Sequence, residues 1–126
     1  MAELDLTLDH VGVAVASLDD GEAAYRRLGF TLTVRSIHSG AVTPGGPVIP
    51  WGSGNHCAMF RDGYLEILGI TDPTLHNSAD ALLEKYQGAH IVAFGSGEGD
   101  AAHAILSQRL EGVAPPAALE RMATFG

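Results

Sequence analysis

A short pattern that occurs twice constrains the fold of this chain more than any other sequence feature. Residues 8–15 read Leu-Asp-His-Val-Gly-Val-Ala-Val and residues 89–94 read Ala-His-Ile-Val-Ala-Phe, so each copy is an apolar, strand-like run with a histidine near its start. A helix-like segment that ends at a glycine follows each copy. Because a repeat constrains the whole architecture, we expect two equivalent strands that direct His10 and His90 toward one shared site.

The composition predicts a single small globular domain. The chain has 126 residues, 46% of them hydrophobic, which is enough for a packed core. Its 7 basic and 15 acidic residues give a formal net charge of −8. This charge argues against a nucleic-acid partner, because phosphates require clustered Lys and Arg. No apolar run approaches the ~20 residues of a membrane span, so we expect no membrane partner.

The N-terminus and the cysteine content favour a cytoplasmic location. The chain begins with acidic residues and lacks the basic start of a signal peptide. Its single cysteine, Cys57, cannot form an intramolecular disulfide. Both features are typical of a protein that works in a reducing compartment.

The beginning of the chain is typical of a strand–helix–strand unit. In the strand at residues 8–15 the valines share one face and His10 lies on the other, because strand side chains alternate. Ser17 can cap a helix that ends at Gly29. Residues 30–36 alternate and are rich in β-branched side chains, which predicts a second strand.

Residues 38–54 differ from the segments around them. They contain three prolines and five glycines, which predict a long irregular loop with room for one short edge strand. Loops of this length in small domains are often functional. A lid over a ligand cavity, with Trp51 as its aromatic side chain, and a flexible surface insertion both remain open.

An Asp-Gly pair at residues 62–63, between the apolar runs 55–60 and 64–70, predicts a β-hairpin. A two-residue turn would pair Met59 with Glu66. The predicted apolar face is Ala58, Phe60, Leu65 and Ile67, and the opposite face is Cys57, Met59, Glu66 and Leu68. A carboxylate inside a strand is costly to bury unless it is paired or coordinated, so Glu66 is either a functional group or a solvated one.

The second half of the chain predicts a linking helix, one strand and one further helix. The linking helix covers about residues 77–87, and the strand covers residues 90–94. Asp100 caps the last helix, whose predicted buried stripe is Ala102, Ile105, Leu106 and Leu110. Residues 117–125 form one more predicted strand. We therefore expect a single domain over residues 1–126: a first module at about 7–70, the linking helix, and a partial second module at about 89–126.

Three side chains are candidate metal ligands. Imidazole is the commonest metal ligand, and two histidines with one carboxylate form an open-sided set that several first-row metals use. These residues are His10, His90 and Glu66. His56 ranks lower because the hairpin register directs it away from Glu66. Cys57 is a soft ligand, a nucleophile or a small buried side chain.

The glycine-rich run at residues 95–100 reads Gly-Ser-Gly-Glu-Gly-Asp and follows a strand. Its spacing does not match a dinucleotide loop, and the aspartate at the last glycine position would repel phosphate. We interpret this run as a turn.

Several motifs resemble those of the vicinal oxygen chelate superfamily: residues 8–15, the helix end Arg-Leu-Gly-Phe at 27–30, and Tyr-Leu-Glu-Ile at 64–67. Gly-Ser-Gly-Asn at 52–55 and Gly-Tyr-Leu-Glu at 63–66 resemble the glyoxalase-like domain group most. The resemblance implies an α+β fold. A βαβββ module would precede a partial second one, in a curved mixed or antiparallel sheet with helices on its convex face.

The resemblance also implies a metal site. Ligands in such proteins come from the first and fourth strands of each module, which here implies His10, Glu66 and His90. The fourth would lie beyond this sequence, so either the chain is a fragment of a longer protein or a partner chain or solvent would supply it. The metal would be divalent, with Zn, Ni, Fe, Mn and Co all open.

We expect a metal-dependent enzyme (a lyase, isomerase or dioxygenase) that acts on a small oxygen-rich substrate. Glu66 would be a ligand and the catalytic base. The expected substrate-binding residues are Trp51, Asn55, Cys57 and Met59. A metal-free binding or drug-sequestering protein of the same fold is the main alternative, and a non-catalytic interaction module is a second. Because missing strands leave an unpaired sheet edge, we expect a homodimer.

Overall fold

Five strands and three helices make up the computed structural model, which describes residues 3–119. In chain order they are β1 (Thr7–Val15), α1 (Leu18–Arg27), β2 (Ser36–Ala41), β3 (Val48–Met59), β4 (Tyr64–Ile70), α2 (Asp80–Leu83), β5 (Gly88–Gly95) and α3 (Gly99–Arg109). The strands form one sheet in the order β2-β3-β4-β1-β5. β1 is parallel to β4, and every other pairing is antiparallel. The predicted α+β class with a mixed sheet is confirmed, and the two repeated strands, β1 and β5, are direct neighbours.

Helix α1 covers one face of the sheet, where the main core lies. The Asp20 N–H donates to Ser17 Oγ at 3.2 Å, which confirms Ser17 as the cap. The helix ends before Gly29, whose φ of 102° is accessible to glycine without steric cost. Leu18 is fully buried. The core cluster contains Val15, Leu18, Leu32, Ala58 and Ile67.

A second cluster lies on the opposite face. It contains Ala14, Leu68 and Ala79, with Ile70, Leu82, Leu83 and Ile91 packed against it. Its outer layer comes from the segment that holds α2. The Asn77 side chain accepts from the N–H groups of Ala79 and Asp80, but α2 begins at Asp80, later than the predicted start at residue 77.

The predicted length of the linking helix, about residues 77–87, is wrong, because α2 spans only Asp80–Leu83. The residues after α2 form tertiary contacts that a continued helix would prevent. The Tyr86 hydroxyl donates to the Ala89 carbonyl at 2.6 Å, and Gln87 Oε1 accepts from the Ala16 N–H at 2.8 Å.

Two predictions about the segment after α1 are also wrong. The second strand does not cover residues 30–36, since β2 begins at Ser36. The irregular 30–35 segment is joined to β3 by hydrogen bonds between Thr33 and Cys57 instead. Residues 38–54 are not one long loop either, because they include most of β2 and the first half of β3.

The glycines in this region explain the error. A Cβ on Gly54 would lie 2.5 Å from the Ser36 carbonyl oxygen, so this glycine allows β2 and β3 to approach closely. Pro50 lies in the part of β3 that precedes its pairing with β4, which begins at Ser53. Pro50 pairs with Ser39 of β2, so its missing N–H interrupts no β3–β4 hydrogen bond, and the prolines and glycines of this segment are compatible with the sheet.

The predicted hairpin is confirmed, but its predicted register is wrong by two residues. Glu66 pairs with Cys57 rather than with Met59. The turn is displaced by one residue, because the Phe60 N–H donates to the Gly63 carbonyl at 3.0 Å and so encloses Arg61 and Asp62 instead of Asp62 and Gly63. A slide of two residues leaves every side chain on its predicted face, since side chains alternate along a strand.

The last described elements confirm the predicted strand–helix order. Helix α3 begins one residue before Asp100, and its cap position is Glu98. Of the predicted buried stripe, Ala102 is buried, whereas Leu110 is exposed. The predicted strand at 117–125 falls mostly on residues 120–126, outside the residues that the structure describes.

Candidate active site

The sheet face opposite α1 carries the candidate functional groups, and we call it the inner face. Strand register defines it: Gly12 of β1 pairs with Glu66 of β4, and Glu66 pairs with Cys57 of β3. Since paired residues share a face, Glu66 lies at the centre of this surface. His10 pairs with Tyr64 two residues earlier along the same strands, so it is a diagonal neighbour of Glu66.

The Glu66 carboxylate is held by a buried amide. Asn55 is 2% exposed, and its Nδ2 donates to Glu66 Oε2 at 2.6 Å. A partly buried carboxylate requires such a partner. The other oxygen, Oε1, lies 3.3 Å from the position that a Cβ would occupy on Gly12. The absence of a side chain at Gly12 thus leaves room for this oxygen.

His10 has a fixed tautomer. Its Nδ1 lies 2.7 Å from Asp9 Oδ2, and its ring stacks on Tyr64 with the centroids 4.4 Å apart. A carboxylate only accepts hydrogen bonds, so Nδ1 carries the proton and Nε2 presents its lone pair. Metal-binding histidines commonly have this carboxylate partner.

His90 is oriented by the backbone. Its Nε2 lies 2.7 Å from the Tyr86 carbonyl oxygen, and its ring stacks on Tyr86 at 4.0 Å. A carbonyl also only accepts, so Nε2 donates and Nδ1 presents the lone pair. His90 lies at a register shift of β5, between Ile91, which pairs with Gly12, and Ala89, which pairs with Val13.

The donor chemistry of these three residues fits a divalent metal. Each candidate ligand has one atom held by a neighbouring group and a second atom with an available lone pair. The structure brings His10 and Glu66 together on adjacent strands, whereas His90 is turned toward Tyr86. Within residues 3–119, no group of three or more His, Cys, Asp or Glu side chains is arranged to hold a metal ion.

The predicted substrate-binding residues lie along β3. Cys57 is buried beside Glu66, and Met59 is half exposed near the hairpin turn. Trp51 is part of a strand rather than a mobile lid. Its indole N–H donates to the Gly40 carbonyl at 3.2 Å, and its ring contacts His76.

Sequence reasoning selected Asn55 as a substrate-binding residue but missed its bond to Glu66, and it missed the contacts of Asp9 and His38. The Nδ1 of His38 lies 3.0 Å from the hydroxyl of Ser53, which is fully buried. The alternation of polar Ser53 and Asn55 along β3 is the signal that could have placed both side chains on one face. It was hidden because Ser53 was assigned to a loop and Asn55 to a separate strand.

His56 lies on the other face, as the register predicted. It is 3% exposed, and its Nδ1 lies 2.9 Å from the Thr33 carbonyl oxygen. Its Nε2 accepts from Arg35 Nε at 3.2 Å and lies 3.4 Å from Glu22 Oε2. This network joins α1 to β3 and is separated from Glu66 by the sheet.

A cavity of about 730 Å³ lies at the β2–β3 end of the structure. Ser36, which lines it, pairs directly with Asn55 across β2 and β3. One residue of the cavity wall is therefore the cross-strand neighbour of the residue that holds Glu66. Its volume is within the usual range for small-molecule sites.

The residues of this candidate site lie within the part of the chain that a known family model matches. The model of the glyoxalase-like domain family matches residues 8–125. The chain belongs to this family, and with it to the vicinal oxygen chelate superfamily. Members of that superfamily commonly bind divalent metals. No curated protein sequence matches the chain significantly.

Solved structures share the fold at low sequence identity. A hypothetical protein from Bacillus halodurans has a TM-score of 0.58 and 18% identity over 84% of this chain and 70% of its own. Streptomyces coelicolor methylmalonyl-CoA epimerase, in complex with 2-nitronate-propionyl-CoA, has a TM-score of 0.56 and 24% identity over 82% and 69%. A methylmalonyl-CoA epimerase in complex with methylmalonyl-CoA and NH4+ has 0.55 and 24% over 81% and 68%. No helix in the described part of the chain is long and apolar enough to cross a membrane.

Proposed function

We propose that this chain is a metal-dependent enzyme of the glyoxalase-like type that acts on a small, oxygen-rich organic substrate. The observation that carries the proposal is the placement of Glu66 beside His10 on adjacent strands, with His10 Nε2 presenting a lone pair on the same face. Among the reaction types expected from the sequence, an isomerase or lyase that begins with proton removal suits a single carboxylate base best.

His10, Glu66 and His90 would hold the metal through Nε2, Oε1 and Nδ1. When bound, a divalent metal polarises substrate oxygens and stabilises the negative charge that forms on them. Its identity, among Zn, Ni, Fe, Mn and Co, is left to experiment. Asp9 keeps His10 in the tautomer that can act as a ligand, and the Tyr86 carbonyl does the same for His90.

Glu66 would be the base that removes a proton from a carbon next to a substrate carbonyl. General bases must lie within hydrogen-bond distance of that proton. The Asn55 amide holds Oε2, so Oε1 is the oxygen that would leave the metal and receive the proton. Asn55 is thus a positioning residue in this proposal, and substrate contacts come from Trp51, Cys57 and Met59. The homodimer and the cytoplasmic location remain predictions.

A metal-free small-molecule binding protein is the second candidate. It is favoured by the cavity that Ser36 lines and by the absence, within residues 3–119, of three or more His, Cys, Asp or Glu side chains arranged to hold a metal ion. In this alternative His10 and Glu66 would bind polar groups of the ligand directly.

Metal dependence is tested by comparing three untagged proteins: wild type, His10→Ala and His103→Ala. His103 lies on α3, where its Nε2 contacts Ser107, and it serves as the matched histidine control. Each protein is purified after chelation, loaded with one divalent metal at a time, analysed for metal content and melted with and without chelator.

We expect the wild type and His103→Ala to bind one metal per chain and to melt at a higher temperature when loaded. A metal at 100 times its Kd stabilises a protein by about 2.7 kcal/mol. His10→Ala should lose most of the bound metal and all of this stabilisation. Equal metal content and equal melting in all three proteins would refute the metal site and favour the binding protein.

A further inference from the structure

We propose that the cavity of about 730 Å³ binds an uncharged, flat, hydrogen-bonding part of the ligand and discriminates against carboxylates and phosphates. The inference rests on the proposed function in one respect only. It assumes that the ligand of this cavity is the substrate that reacts at Glu66 on the inner face. Its physical basis is independent of any metal.

The chemistry of the cavity wall carries the argument. Hydroxyl groups, one imidazole and apolar surface line it: Ser36, Ser39, Ser78, His38, Val48 and Trp51. Within residues 3–119, no Lys, Arg, Asp or Glu side chain lines this cavity. Hydroxyl groups and imidazole serve as both donors and acceptors, so the wall suits neutral polar groups.

A charged ligand group would find no oppositely charged side chain among the described residues of the wall. A neutral group can exchange hydrogen bonds with the hydroxyls and the imidazole, whereas an unpaired charge loses part of its hydration without such compensation. Arg35, which directly precedes the lining residue Ser36, does not supply a countercharge. Its guanidinium binds Asp19 at 2.6 Å and lies 3.7 Å from Glu22. The net charge of −8 disfavours anions further.

Trp51 supplies a rigid flat surface. Its indole N–H is bound to the Gly40 carbonyl, and a Cβ on Gly40 would lie 2.6 Å from Trp51 Cζ2. The ring therefore lies against the backbone of β2. Fixed aromatic walls favour flat ligands, because stacking there costs little conformational entropy. His38 is positioned as well, through Ser53.

The position of the cavity connects it to the candidate base. Ser36 of the wall is paired with Asn55, and Asn55 donates to Glu66. A ligand whose flat part occupies the cavity would extend toward Glu66 along β3. The cavity therefore selects the substrate, while the inner face carries the chemistry.

The experiment uses the fluorescence of Trp51, which is the only tryptophan in the chain. Three probes of nearly equal shape are titrated into chelator-treated full-length protein: neutral benzamide, anionic benzoate and cationic benzamidine. The titrations are done at about pH 8, where an ordinary histidine is neutral. We expect benzamide to change the emission with saturation, and benzoate to bind at least about tenfold more weakly, or about 1.4 kcal/mol.

Two lysine variants make the charge argument specific. Ser78→Lys places a cation at the cavity wall, and Ser107→Lys on α3 adds the same charge elsewhere. We expect Ser78→Lys to raise benzoate affinity at least about fivefold relative to Ser107→Lys. Gly40→Ala should displace the indole ring and weaken benzamide binding in a protein that still melts cooperatively.

The results separate this inference from the metal proposal. Benzamide binding in chelated protein with no metal uptake would support the cavity and refute the metal site. Benzoate binding as tight as benzamide, or no saturable change with any probe, would overturn the cavity inference whatever the metal content.

Discussion

Replacing Asn55 by Asp tests the centre of the proposed site. The change keeps the side-chain shape but replaces the N–H donor, 2.6 Å from Glu66 Oε2, by a second carboxylate oxygen. A hydrogen bond to a charged group contributes about 1.5–3 kcal/mol. Repulsion between two close carboxylates adds to this loss because Asn55 is buried. We expect N55D to lower the free energy of unfolding by about 3–5 kcal/mol at pH 8.

The loss should depend on pH with a definite sign. In the folded variant one proton shared by the two carboxyls would restore a hydrogen bond, so the folded state binds this proton more tightly than the unfolded chain. Stability that depends on proton uptake is present at low pH and is lost as pH rises. We expect N55D to recover about 2 kcal/mol relative to wild type between pH 8 and pH 5.

Urea denaturation at both pH values measures this difference, and Asn55→Ala is the matched control. N55A removes the same hydrogen bond without adding a charge, so its deficit relative to wild type should be nearly independent of pH. If N55D and N55A have equal deficits at pH 8 and pH 5, Glu66 and residue 55 are not in contact. That result would refute the positioning role of Asn55.

Two further predictions concern stability and titration. Leu18→Ala removes a fully buried side chain of α1 and should cost about 2–5 kcal/mol in urea denaturation, whereas a loss below about 1 kcal/mol would contradict the described core. The hydroxyl and N–H of Thr74 donate to Asp72, which lowers the pKa of this exposed carboxyl below 3.8. Its contribution to stability is therefore present above that value and lost as pH falls, and an NMR titration should find a higher Asp72 pKa in Thr74→Ala.

Elements whose signals are local could be predicted from the sequence. The repeated strand–helix unit, the Ser17 cap and the hairpin all depend on residues close together in the chain, and all are present in the structure. The hairpin also shows that the predicted faces of a strand can be correct when the predicted register is wrong. Its register was predicted wrongly, yet Glu66 was placed on the correct face because a slide of two residues preserves alternation.

Elements that depend on distant atoms were predicted wrongly. Residues 38–54 were assigned to a loop because glycine and proline usually interrupt strands. Gly54 instead allows close approach of the Ser36 backbone, and Gly40 makes room for Trp51. Which function a glycine has is decided by the atoms opposite it, and those atoms are not adjacent in sequence.

The sequence by itself determined that a strand–helix unit is used twice and that the chain resembles the glyoxalase-like folds. It also selected His10, His90 and Glu66 as the candidate metal ligands. Only the tertiary structure decided that Asp9 and the Tyr86 carbonyl set the two tautomers, that Asn55 holds Glu66, and that a cavity lies where β2 pairs with β3. The physical reason is the range of the interactions. Alternation and capping act over a few residues, whereas hydrogen-bond partners and cavities arise where strands distant in sequence are packed together.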